Sequence, residues 1–123
     1  MILDYRYDIE KLILSTYLNM DRTFFTDSVD IYDLKCPYKL FKASYTTKLI
    51  SKAIFNLQSD KQPLNDFMVI SYFEDKKVKF DEKQFLEIVT ATWCTYETMI
   101  KYIEILKSIE KEEDLKNKLE GIL

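Results

Sequence analysis

The chain has 123 residues, of which 47% are hydrophobic and 32% charged, with a net charge of −3, the make-up of one globular domain and not of a disordered chain. A single glycine, Gly121, and no histidine argue against tight hairpins, Rossmann turns and phosphate-cradling loops, and remove the commonest general base and metal ligand. Cys36 and Cys94 stand alone with no Cys-x-x-Cys, which excludes a structural zinc site and reads both as buried small hydrophobes.

The start, MILDYRYDIEK, is acidic and has no basic leader or small-residue cleavage site, so no secretory signal and a cytoplasmic setting are expected. No apolar run approaches the roughly 20 residues a bilayer requires. In YDIEKLILSTYL, the residues Ile9, Leu12, Ile13, Tyr17 and Leu18 form a helical stripe with Asp8 as the expected cap. The following segment to Tyr38 is mixed, with Thr26 or Asp27 able to cap a short helix. Pro37 is expected to open the next helix, because proline disfavours a helical residue before it.

From Tyr38 to about Leu57, Leu40, Phe41, Tyr45, Leu49, Ile50, Ala53, Ile54 and Leu57 recur at three and four, predicting the longest helix. Residues 35–62 hold six bases and one acid, against seven acids and three bases in residues 1–34. Lys35, Lys39, Lys42, Lys48 and Lys52 read as a solvated helix face, since nucleic-acid binding would more naturally show arginine and interleaved exposed aromatics. Ser59 to Pro63 is a turn, and Asn65 or Asp66 can cap a helix carrying Phe67, Met68, Val69, Ile70 and Phe73. A further start stands at FDEKQF: Asp81 and Gln84 make a capping box, and Phe80 and Phe85 occupy the two positions of a hydrophobic staple.

Thr95 is expected to cap a last helix with Tyr96, Met99, Ile100, Ile103 and Leu106 on one face. EKEED then interrupts the stripe before Leu115, Leu119, Ile122 and Leu123, which a continuous helix would swing by roughly 100°. The choice is between a break near Glu112 to Asp114, giving a hairpin, and one helix serving two surfaces. We take the chain as all-α, a compact helical bundle over residues 1–94 followed by a C-terminal helix or hairpin over 95–123.

Asp27, Asp30 and Asp33 lack the glycine and terminal glutamate of an EF-hand loop and read as acidic surface. The cysteines have no histidine partner for nucleophilic chemistry. A helix-turn-helix reader fails on NDFMVISYFED, whose side chains are apolar and whose end is acidic. No catalytic residue, cofactor or metal is expected. Trp93 reads as core or rim packing, or as an interface anchor.

The succession IEKLILSTYL, LFKASYTTKLISKAIFNL, SDKQPLNDFMVISYF and QFLEIVTATWCTYETMIKYIEILK resembles a helical domain shared by two bacterial replication proteins. These are the C-terminal helicase-binding domain of DnaG-type primase and the N-terminal domain of the DnaB-type replicative helicase. KQPLND resembles the Pro-hydrophobic-Asp turn of the helicase domain, and YETMIKYIEILK the stretch that opens its last hairpin. The segment KKVKFDEK lacks the glycine pair usual in the helicase version, which favours the primase one. The resemblance implies a chain without chemistry of its own, a fragment of DNA primase that docks that enzyme on the hexameric helicase and modulates it. Ile109, Leu115, Leu119, Ile122 and Leu123 are then the expected docking residues, with weak self-association possible and no membrane or direct nucleic-acid partner expected. The alternatives are the helicase's own N-terminal domain, serving ring assembly and primase binding, and a small helical nucleic-acid-binding domain using the lysine block.

Overall fold

Ile13, Leu14 and Tyr17 have no accessible surface, and the helix that carries them, α1 (Arg6–Leu18), is the element on which three of the other helices pack. The computed structural model describes residues 5–19 and 34–122. After α1 come a 3-10 turn at Tyr38–Leu40 and the helices α2 (Tyr45–Ser59), α3 (Asp66–Asp75), α4 (Glu82–Val89) and α5 (Tyr96–Ile122). No strand occurs among the described residues. The fold is all-α, a compact bundle in which α1 packs on α2, α4 and α5, and α3 packs on α2. The short helix expected near Thr26 lies outside the described residues, as do Asp27, Asp30 and Asp33.

Several helices begin where their sequences direct. Asn65 accepts the Met68 N–H at 2.8 Å, Asp81 accepts the Gln84 N–H at 3.0 Å, and Thr95 accepts the Thr98 N–H at 3.2 Å. Phe80 and Phe85 close the staple with ring centroids 5.3 Å apart, and both lean on the buried ring of Phe73. Two other starts differ. Helix α1 begins two residues before Asp8 and has no side-chain cap, so Asp8 sits in its first turn. The helix expected from Tyr38 is split: the chain is non-helical from Phe41 to Ser44, and α2 starts at a new capping box between Ser44 and Thr47.

The cause of that split is a buried carboxylate. Glu10, on α1, accepts the Lys42 N–H at 3.2 Å and the Ala43 N–H at 3.1 and 3.0 Å. Those N–H groups would bond within the helix if it ran on from Tyr38. Arg6 lies one turn earlier, with Nε 3.1 Å from Glu10 Oε2, and its Nη2 donates to the Leu40 carbonyl at 3.0 Å. The pair therefore supplies both an acceptor and a donor to residues 40–43 and fixes where α2 can begin.

A second set of buried polar groups holds the other side of α1. Gln58 accepts the Cys36 N–H at 2.8 Å and donates to the Leu34 carbonyl at 2.9 Å, where the Tyr17 hydroxyl also donates at 3.1 Å. Ser15 donates to the Ala91 carbonyl at 2.6 Å, and Thr16 accepts the Cys94 N–H at 3.0 Å. The α4–α5 connection is thereby pinned to α1. Burial pushes the Cys36 thiol well above its ordinary pKa and so keeps it a neutral hydrophobe, as its sequence context predicts.

The expected C-terminal hairpin is absent, because α5 runs unbroken through residues 112–114. Nor does packing divide the chain at residues 94 and 95. Met99, Ile103, Leu106 and Ile109 of α5 belong to the same buried core as Ile13, Ile50, Val69 and Phe85.

The shortage of glycine leaves a mark at two helix ends. After α2, the Lys61 N–H bonds to the Gln58 carbonyl at 3.1 Å and the Gln62 N–H to the Leu57 carbonyl at 2.9 Å. After α3, Lys77 and Val78 bond in the same way to Glu74 and Phe73. Both are Schellman closures, with lysine at φ 53° and 55° where glycine is usual. Lys61→Gly and Lys77→Gly should each stabilise the fold by about 0.5–1 kcal/mol, the left-handed penalty less the extra freedom of glycine in the unfolded chain, read by denaturant titration.

Glu10→Gln should cost about 1–3 kcal/mol in the same titration, because it sets an amide NH2 against the Lys42 and Ala43 N–H groups and removes the deepest of Arg6's three carboxylate partners. Replacing both members, as Arg6→Met with Glu10→Leu, should not restore stability. The Lys42 and Ala43 N–H groups would still lack an acceptor. A double variant as stable as the parent would refute this account of the loop.

Candidate docking surface

Helix α5 changes character along its length. Its first half faces the core with Met99, Ile103, Leu106 and Ile109. That face continues with Glu110 and Glu113, and Arg6 reaches them, with Nη1 3.0 Å from Glu113 Oε1 and Nη2 3.5 Å from Glu110 Oε2. Lys42 adds an ion pair to Glu110. The side of α5 that would need apolar residues to go on packing is thus acidic, and it is taken up by cations of α1 and the loop before α2. Hydrogen bonding from Lys42 draws the Glu110 carboxyl below its ordinary pKa; burial opposes the shift, and the Lys42 and Arg6 charges add to it.

Beyond Glu113, every residue from Asp114 to Gly121 is exposed. Leu115 is 60% and Leu119 55% accessible, although both are apolar. At about 100° per residue, their shared direction is roughly 180° from that of Met99, Ile103 and Leu106, a larger rotation than the interrupted stripe suggests. Ile105, partly exposed on the body of the bundle, lies two heptads before Leu119 and on that outer side. The outer stripe therefore points away from the bundle core.

The expected docking residues are not brought together as one set. Ile109, at 3% accessibility, is a core residue and is unavailable to a partner in this conformation. It is the last member of the α5 core stripe, a place that the four-residue spacing from Ile105 conceals. Leu115 and Leu119 share the outer stripe, Ile122 ends α5, and Leu123 lies outside the described residues.

Trp93 is 45% exposed on the rim of a cleft of about 390 Å³ that Leu18, Leu64, Leu86 and Val89 help to line. It is neither a core residue nor a member of the α5 stripe. Phe67 is largely exposed on the first turn of α3. Among the described residues, no group of three or more cysteine, aspartate or glutamate side chains is arranged to hold a metal ion, and no helix is long and apolar enough to cross a membrane. No protein-family model, no curated protein and no solved structure matches the chain.

The acidic seam makes the anchoring of α5 sensitive to acid. A lowered carboxyl pKa in the folded chain contributes stability that is complete above the unfolded value near 4.3 and is lost as pH falls through the lower, folded value. The stability difference between the parent and Glu110→Gln should be about 0.5–1 kcal/mol near neutrality, small because the pair is partly solvated, and should vanish once the pH lies below the lowered, folded value. Urea titrations of both proteins at several pH values check this, and a difference that persists in acid would be inconsistent with the ion pair as its source.

Proposed function

We propose that this chain is a non-catalytic protein–protein interaction module whose partner docks on the outer stripe of α5. The observation that carries the reading is the turn of the apolar stripe. Leu115 and Leu119 are exposed on a helix whose root is held by Arg6, Lys42, Glu110 and Glu113, and they point away from the core formed by the described residues. Two turns of helix presenting leucines at i and i+4 suit the grooves or helix pairs that recognise amphipathic helices.

The partner follows from the resemblance to primase and helicase domains. On that reading the chain belongs to the bacterial primosome in the cytoplasm and docks a primase on the hexameric DnaB-type helicase. The all-α fold and the helix starts at Asn65, Asp81 and Thr95 support the reading without selecting the partner. Leu115 and Leu119 are its contact residues, with Ile122 and Leu123 continuing the sequence stripe. Ile109 serves from within by holding the root of the helix in the core.

Calorimetric titration of the chain into the cognate helicase ring tests the proposal. Leu115→Glu with Leu119→Glu should weaken binding at least tenfold, about 1.4 kcal/mol, while leaving the melting temperature within about a degree or two, because neither side chain belongs to the core. Undiminished affinity would sink the assignment. Light scattering alongside decides a rival use of the same stripe. A dimer in the absence of helicase that the double variant dissolves would make self-association the function of this face.

A further inference from the structure

Residues 35–59 contain five lysines and neither aspartate nor glutamate, in a chain whose net charge is −3. All five lysines are exposed, and of the five only Lys42 makes an ion pair with a described residue. Lys39, Lys42, Lys48 and Lys52 surround a shallow depression of about 440 Å³ whose other lining residues are Tyr38 and Phe41. Lys35 Nζ lies 5.6 Å from the ring centroid of Phe55, and that ring packs against Tyr38 at 4.8 Å.

Aromatic groups are interleaved with this charge in a way the linear sequence hides. Tyr45, Lys48, Lys52 and Phe55 follow one another at three, four and three residues and so share one side of α2. Tyr45 is 66% exposed, a full ring offered to solvent at the head of a lysine row. The row is about 15 Å long from Tyr45 to Phe55 at 1.5 Å per residue, the span of a few nucleotides.

The geometry points to this side of α2 as a binding face for single-stranded nucleic acid, with the lysines following the phosphates and Tyr45 stacking on a base. Three features set the ligand class. Unpaired ammonium groups in a row match a polyanion of regular charge spacing. An exposed ring beside them adds a stacking platform for an unstacked base, a contact that charge pairing with an acidic peptide does not call on. Duplex readout draws on the planar forks of arginine and side-chain amides as well as on lysine, and the row from Tyr45 to Phe55 presents lysine alone. Lysine is a point charge on a flexible stem, so binding is weak and indifferent to sequence. This face is separate from the apolar stripe of α5 and does not depend on what docks there.

The test is fluorescence anisotropy of a labelled oligodeoxythymidylate of about twenty nucleotides, titrated with the full chain. Affinity should fall about 100-fold between about 25 and 200 mM salt, the slope for roughly three neutralised phosphates on a single strand. Lys48→Glu with Lys52→Glu should weaken low-salt binding at least about tenfold, and Tyr45→Ala at least about fivefold, the lower bound for one stacked base. All three positions are exposed, so circular dichroism should show the fold intact. Polyglutamate serves as the competing acidic chain. No binding at low salt overturns the proposal. So does displacement by polyglutamate at equal charge concentration with Tyr45→Ala without effect, which would make the face an acceptor of acidic peptides.

Discussion

The buried pair of Arg6 and Glu10 is the constraint on which the rest of the arrangement depends. A carboxylate with no solvent access is costly unless it is paired and hydrogen-bonded, and Glu10 meets that demand with Arg6 and two backbone N–H groups that between them reach both of its oxygens. Those two N–H groups are withdrawn from helix formation, so α2 starts at Ser44 and not at Tyr38. The same arginine then has a guanidinium edge left for the Leu40 carbonyl and for two acids of α5. The pair thereby ties the start of α2, set by Glu10, to the acidic continuation of the α5 inner face, which Arg6 holds. Because its partners past Ile109 are acidic, α5 stops packing there while remaining helical.

The polar groups on the far side of α1 act in a similar way at lower charge. Gln58, Tyr17, Ser15 and Thr16 satisfy backbone groups at residues 34, 36, 91 and 94, positions where the described chain is irregular. Irregular backbone inside a bundle needs such partners, because a buried N–H or carbonyl without one costs about as much as a lost hydrogen bond. With one glycine available, the chain turns its corners through side-chain bonds and through lysines in the left-handed region.

What was legible in the sequence was local. Caps and staples are decided within four residues, which is why Asn65, Asp81, Thr95 and the Phe80–Phe85 contact could be read directly. The break before α2 was not, because its cause lies 32 residues away on another helix and the apolar period runs through it undisturbed. A signal did exist. Arg6 and Glu10 precede Ile13, Leu14 and Tyr17 at helical spacing, so two charges continue a stripe that the core must bury. The outward turn of Leu115 and Leu119 was visible as an interruption, but its size needed α5 to be continuous. The spacing of Tyr45 with Leu49 reads as core, whereas the capping box at Ser44 makes Tyr45 the first helical residue, facing solvent.

Lys42 joins the two surfaces of the molecule. Its ammonium group pairs with Glu110 at the root of α5, and the same side chain lines the depression among the lysines. It is therefore the least free of the five charges, and the remaining four carry the field of that face. An anion held there competes with Glu110 for the same ammonium, so occupation of the lysine face weakens one of the two cation contacts that hold Glu110. Arg6 keeps the other, because its charge is fixed by Glu10 and lies deeper in the bundle. The coupling between the two faces is consequently bounded by a single partly exposed ion pair, about 1 kcal/mol at most. A coupling of that size loosens the root of α5 without releasing it from the core, since Met99, Ile103, Leu106 and Ile109 hold the helix through apolar burial that no counter-ion reaches.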